Sequence, residues 1–308
     1  MEFSDPSREH FCIELTDDTG KGLTEIFQVF PGIYLMYNDF HMEHCQSSYA
    51  PEGDFWGIEY CHSGNTEWKL ENGDYAYLGA ETLMSCDYHE CGENFSFPGR
   101  LFEGLTLGFE MPLAEKSIPG ELKLNLFQLK DKISAAALID IAGKTEIEAG
   151  LKLLYAARNQ TDLHRKLAVA HFLVYLADLE PNQLEPVYLR KQAAERIKKI
   201  EHFLRENLDH RWTLREISIR FQIPVSVLRR NFADVFGVSV ADHMRRIRAE
   251  KTKEMLLNTT KSIGEIASEL GYDNASKFSA AFRNYAGISP SEYRSKVSGS
   301  SEPNDKME

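Results

Sequence analysis

The sequence predicts an α+β chain in two parts. The first is a small N-terminal antiparallel β barrel or sandwich with helices added to it; the second is a C-terminal all-α domain with two helix-turn-helix units. Three observations predict this. Short apolar runs separated by turn signals fill the chain to about residue 110. Apolar spacing then turns helical over 121–180. Finally, a segment near the C-terminus occurs twice, offset by about fifty residues. A chain of 308 residues is long enough for two ordinary domains, each with its own core.

The strands come first. Phe27–Phe30 leads through the Pro31-Gly32 turn into Ile33–Tyr37, followed by Phe55–Cys61, Glu67–Leu70, Tyr75–Leu78 and Leu101–Phe109. Ser63-Gly64-Asn65 and Glu71-Asn72-Gly73-Asp74 separate them, the latter a hairpin candidate. Short strands at near-regular spacing suit a small antiparallel barrel, which can enclose one small ligand. Helical spacing follows: Ile147, Leu151, Leu154 and Tyr155, then Leu163, Leu167, Ala170, Val174 and Ala177. These two helices either cover the barrel or pair with a second copy of themselves. The organisation predicted is an effector-binding or dimerisation domain over 1–180, a linker over 181–187 with two prolines, a helical domain over 188–296, and a disordered tail over 297–308.

Within the C-terminal part, Thr213-Leu214-Arg215-Glu216-Ile217 is echoed by Ser262-Ile263-Gly264-Glu265-Ile266. Each copy opens with a hydroxyl residue followed three positions later by Glu, the capping-box signal of a helix start. Leu228 and Phe232 in one copy correspond to Phe278 and Phe282 in the other, and the copies close on Gly237 and Gly287. Helix, tight turn, helix is a plan whose second helix can enter a DNA major groove. A long helix over Ser239–Leu257 joins the copies and fixes the distance between them.

Charge agrees once the chain is divided. The whole carries net charge −12, yet Arg190–Lys296 holds 21 Lys+Arg against 13 Asp+Glu, leaving about −20 on the remainder. A basic module of about a hundred residues beside an acidic one fits duplex binding. The acidic part would repel phosphate and is expected to lie off the DNA. Met1–Asp5 shows no secretory signal, and no apolar run approaches a membrane span. Five cysteines, an odd number outside any small disulfide scaffold, suit a reducing cytoplasm. No phosphate loop, GxSxG or HExxH occurs, so no enzymatic activity is expected.

With the repeat, the joining helix and the stretch from Gly271-Tyr272-Asp273-Asn274-Ala275-Ser276-Lys277-Phe278 to Gly287-Ile288-Ser289-Pro290-Ser291-Glu292-Tyr293-Arg294 in view, the chain resembles the AraC/XylS family of bacterial transcription regulators over about Ile197–Lys296. The N-terminal half is similar to the siderophore-regulator branch through Phe30-Pro31-Gly32-Ile33-Tyr34. The resemblance implies a seven-helix domain bound to promoter DNA. It also implies an N-terminal domain for a small-molecule effector and an activator working with RNA polymerase. A homodimer is expected separately, because the helices at about Ile147–Ala177 carry apolar stripes beyond what one barrel buries. Two positions depart from the family pattern. Gln222 stands where a turn glycine is usual, and Pro224 where a capping serine is usual.

The DNA-reading face predicted for the first unit is Ser226, Arg229 and Arg230. For the second it is Ala275, Ser276, Lys277 and Ser279, with Ala280 in the place of an arginine. An arginine fork bonds guanine O6 and N7 together, so the first unit is expected to read sequence and the second to position on phosphate. Tyr34, Tyr37, Trp56 and Trp68 are the effector-site candidates, aromatic surface in a small barrel, with core packing as the alternative. A second reading makes the N-terminal half a metal or redox sensor through His41–Cys45, Cys61-His62 and Cys86–Cys91. Their spacings match no standard zinc site, and no metal or cofactor is expected.

Overall fold

The computed structural model describes residues 10–46, 53–69, 73–87, 94–134, 138–141, 143–180 and 187–299. The chain divides into two compact units with the main boundary at Lys191/Gln192. Part of the expected linker, 181–186, and most of the tail, 300–308, lie outside the described residues, as do 70–72 of the expected Glu71–Asp74 hairpin.

In the N-terminal unit the strands are β1 (His10–Thr16), β2 (Lys21–Phe30), β3 (Ile33–His41), β4 (His44–Gln46), β5 (Phe55–Gly64), β6 (Thr66–Lys69), β7 (Tyr75–Leu78), β8 (Thr82–Asp87), β9 (Asn94–Ser96), β10 (Phe102–Glu110), β11 (Leu138–Asp140) and β12 (Val187–Leu189). They form an antiparallel seven-stranded sheet, β1-β2-β3-β10-β5-β8-β11, and a five-stranded one, β12-β7-β6-β9-β4. The turn between β2 and β3 needs its glycine: Gly32 has φ +75°, and a Cβ there would sit 2.8 Å from the Ala114 nitrogen. Asp17 makes the β1–β2 turn by accepting from the backbone of Thr19 and Gly20 at 2.7 and 3.0 Å.

Helices α1 (Met111–Ser117), α2 (Leu126–Ser134), α3 (Thr145–Ala157) and α4 (Asp162–Asp178) follow the strands. They cover one face of the large sheet, where Leu35, Trp56, Ile58, Leu105, Leu107 and Phe109 pack with Leu129, Leu151, Leu154, Phe172 and Leu176. The other face meets the small sheet through Phe40, Cys61 and Phe102 against Cys45, Leu78 and Phe97. This is the expected sandwich. Strands β1, β4, β8, β9 and β11 were not foreseen. Neither was the strand character of Val187–Leu189, which pairs with β7 where the spacing had suggested a helix from Tyr188. No helix of the described residues is long and apolar enough to cross a membrane.

The C-terminal unit is helical: α5 (Lys191–Glu206), α6 (Leu214–Arg220), α7 (Val225–Phe236), α8 (Val240–Asn258), α9 (Ile263–Glu269), α10 (Ala275–Ala286) and α11 (Pro290–Gly299). Helix α11 runs to Gly299, into the segment expected as tail.

Candidate nucleic-acid interface

Both helix-turn-helix units are built by the same local chemistry. Thr213 Oγ1 accepts from the Glu216 amide at 3.2 Å, and the Glu216 carboxylate accepts from the Thr213 amide at 2.7 Å. Ser262 and Glu265 repeat this at 3.2 and 2.7 Å. Each pair satisfies amides that a helix start leaves open. Through their hydrogen bonds with the Thr213 and Ser262 backbone amides and hydroxyls, the Glu216 and Glu265 carboxyls are held below the usual range.

The two turns also match bond for bond. Phe221 and Ile223 amides donate to Ile217 and Ser218 carbonyls at 2.9 and 3.0 Å. Leu270 and Tyr272 amides donate to Ile266 and Ala267 at 3.1 and 2.9 Å. The left-handed residue in this pattern is Gly271 in one copy, φ +71°, and Gln222 in the other, φ +51°. The turn therefore does require the positive φ that the family glycine would supply, and Gln222 adopts it with a Cβ. Each turn is held by an arginine from outside it. Arg196 Nη2 donates to the Gln222 carbonyl at 2.9 Å and to that of Phe221. Arg211 Nε donates to the Gly271 carbonyl at 3.0 Å and stacks its guanidinium 4.2 Å over Tyr272. Sequence reasoning missed both. They lie 26 and 60 residues from their partners, so no common offset marks them.

The second helices then start differently. Asn274 caps α10, its Oδ1 accepting from Ser276 and Lys277 amides at 2.7 and 3.2 Å. Pro224 precedes α7 and offers no side-chain acceptor, although its carbonyl receives the Leu228 amide at 2.9 Å. Leu228, Phe232, Phe278 and Phe282 are buried, as their spacing predicted. The opposite faces are open. Ser226, Arg229 and Arg230 are exposed on α7, one turn apart on one side of the helix. Ala275, Ser276, Lys277 and Ala280 are exposed on α10, and Ser279 is half-buried.

Helix α8 joins the units with 19 residues, about 28 Å at 1.5 Å per residue. Val240, Met244, Ile247 and Met255 are buried along it. So is Arg248, one of the 21 cations of the basic segment; it donates to the Leu208 and His210 carbonyls at 3.3 and 2.9 Å. His243 and Glu201 form a buried pair at 2.9 Å between α8 and α5, with Arg205 2.6 Å from the same carboxylate oxygen. Some of the basic count is thus structural, while Arg229, Arg230 and Lys277 remain at the surface.

Of the aromatic candidates of the N-terminal unit, Tyr37 and Trp56 share one core cluster and Tyr34 packs in another. Tyr34 and Tyr37, three apart on β3, point to opposite faces of the sheet. Tyr37 lies in the helix-covered core and donates to the Leu154 carbonyl at 2.6 Å. Trp56 lies there too, stacked on Phe109, its indole N–H donating to Ser85 Oγ at 2.8 Å. Tyr34 instead packs beside Phe55 and Met36. Trp68 is on β6, and its side chain is outside the described residues. The soft-ligand clusters disperse as well. Met42, Cys45 and Cys61 are core. Cys86 is buried and disulfide-bonded, contrary to the expectation of reduced thiols, and residues 88–93 are outside the described residues.

A family model described as a helix-turn-helix domain matches residues 217–296. The HTH-type transcriptional regulator GadX from Escherichia coli (strain K12) is 25% identical over 232 residues, which cover 73% of this chain and 80% of that protein. The HTH-type transcriptional regulator YdiP from the same strain, itself uncharacterized, is 32% identical over 110 residues, 36% of each chain. Among solved structures, the C-terminal domain of AraT, a response regulator from Geobacillus stearothermophilus, is 26% identical with a TM-score of 0.32, covering 37% of this chain and 91% of that one.

Proposed function

The chain belongs to the AraC family of DNA-binding transcription regulators, and on that premise we propose that α7 and α10 are its two recognition helices, docking in successive major-groove faces of promoter DNA. The observation that carries this is the pair of open helix faces, Ser226-Arg229-Arg230 and Ala275-Ser276-Lys277-Ser279, on two turns with one hydrogen-bond pattern. Arginine forks make α7 the sequence reader. The small side chains of α10, with Lys277, position the second unit on phosphate.

The N-terminal unit is the regulatory part, and in this reading it takes a small-molecule effector and pairs two copies of the chain. Dimerisation is supported by Leu163 and Leu167 on α4, 63% and 60% exposed, and by Leu153 on α3. Leu153 and Leu167 border a groove of about 460 Å³ that Ala156, Gln160, His164 and His171 also line. The protein acts in the cytoplasm as an activator in contact with RNA polymerase, and it is not an enzyme. Footprinting the full chain on genomic DNA tests the reading. Protection should extend over two half-sites about ten base pairs apart. A single unpaired footprint would contradict it.

A further inference from the structure

The edge strand β1 carries a cluster that the regulatory reading does not use. We infer that His10, Cys12 and Glu25 form a binding site for a borderline-soft divalent cation of the zinc class. His10 and Cys12 are two apart on β1 and share a face, and Cys12 stands directly opposite Glu25 in the β1–β2 register. Their donor atoms all lie within 4.8 Å of one another. A tetrahedral zinc ion with bonds of about 2.0–2.3 Å asks for donor separations of about 3.5 Å, within reach of side-chain rotation. His10 Nε2 already sits 3.1 Å from Glu25 Oε1.

Neighbouring groups hold the donors in place. The His10 ring stacks on Phe27, centroids 4.3 Å apart and planes within 5°. Glu25 divides its oxygens: Oε2 is held by Arg158 Nε at 2.7 Å, leaving Oε1 on the His10 side. A partner that fixes a ligand through its other atom is the usual support of a metal site. The guanidinium also opposes a second positive charge, so binding is micromolar in strength.

Chemistry separates this cluster from the others. Two further groups of donors, Asp17 with Asp18 and His44, and Asp39 with His41 and Glu103, offer no sulfur. Three cysteines of the described residues are free, and of these Cys12 alone is exposed. Burial pushes the Cys45 and Cys61 thiols up to about 11 and about 12, which keeps them protonated and poor ligands. Three protein donors leave one position for solvent. Binding deprotonates Cys12 and releases that proton to the buffer.

The test is titration of the full-length chain with Co²⁺ in reductant-free buffer, read by near-ultraviolet thiolate-to-cobalt absorption. One Co²⁺ per chain should bind at micromolar concentration with that absorption, and Zn²⁺ should displace it. Cys12→Ser should abolish the band, and His10→Gln and Glu25→Gln should each weaken binding about tenfold or more. His41→Gln should leave it unchanged. No band in the unsubstituted protein, a band surviving Cys12→Ser, or loss on His41→Gln would overturn the assignment. DNA binding by the same samples reports separately on the regulator reading, since the site lies outside the helix-turn-helix units.

Discussion

Gln222 and Gly271 hold one place in two copies of a turn, and only glycine holds it without a steric cost. A left-handed residue with a Cβ costs about 1–2 kcal/mol, while glycine adds about 0.4–1 kcal/mol of unfolded-state entropy. Gln222→Gly should therefore stabilise the C-terminal unit slightly, by at most about 1 kcal/mol in a denaturant titration. Gly271→Ala should do the reverse and more. Its Cβ would lie 2.5 Å from the Asp209 carbonyl oxygen, which is backbone and cannot swing away. A loss of at least about 2 kcal/mol is expected, combining the strain and the clash; a neutral alanine would refute the left-handed turn. The reading residues separate in the same way. Arg230→Ala should cost about 1–3 kcal/mol of binding and relax preference at a guanine in one half-site, with Arg229→Ala doing so if its fork faces the groove. Lys277→Ala should weaken all sequences evenly and make the salt slope shallower by about one unit. Competition among randomised half-sites checks both. Greater stringency at the half-site of Ser276 and Lys277 would reverse the assignment.

At the scale of elements, α5 and α8 are joined through a buried histidine. Burial lowers the pKa of His243 below its ordinary value of about 6.5, and the Glu201 hydrogen bond only partly offsets this. Burial also pushes Glu201 up, but the bonds and charges of His243 and Arg205 outweigh it and leave the carboxyl low. Both shifts have the same consequence. As pH falls below about 6.5 the unfolded chain takes up a proton on His243 before the folded chain does, so stability falls. A second loss follows below about 4.5 as Glu201 is protonated in the unfolded chain first. His243→Gln should flatten the first of these declines in denaturation curves between pH 8 and pH 5; an unchanged slope would assign it to another group. This pair was not legible in the sequence, because Glu201 and His243 are 42 residues apart and each looks like a solvated helix residue. The helices themselves were legible, since capping boxes and apolar pairs four apart are local signals. Strand β1 was not: its exposure alternates with only half-buried residues on the inner side, so its apolar contrast is weak. Val187–Leu189 was misread for a related reason. Three residues carry no period, and only the free edge of β7 makes them a strand. The separation of Tyr34 from Tyr37 was legible in the sequence, as residues three apart on a strand cannot share a face.

For the whole molecule, the division of charge and the exposed leucines bear on one assembly. In the proposed reading the basic C-terminal segment supplies the phosphate contacts, and the net negative charge of the remainder disfavours contact with the duplex. The full chain should bind with a log–log salt slope of at least about −4, each contact adding about −0.9. A slope near zero would remove the electrostatic basis of the interface. Two copies joined through their N-terminal units would bring four recognition helices to one promoter. Nothing in the basic segment needs to change for that, because the proposed joining surface is on α3 and α4. Leu163 and Leu167 lie one turn apart on α4, and each leaves more than half its surface in water. Fully burying one such side chain gains about 1.5–3 kcal/mol, so the two from each of two chains supply a substantial part of a micromolar association. Replacing either by a carboxylate puts a charge into that contact at several kcal/mol. Leu163→Glu and Leu167→Glu should each convert a dimer to a monomer in sedimentation at micromolar concentration. Their helix-turn-helix units stay intact, so one copy should still bind one pair of half-sites with the same salt slope. A chain that sediments as a monomer before substitution, with and without DNA, would exclude pairing through these leucines. A dimer that survives both changes would place the interface elsewhere.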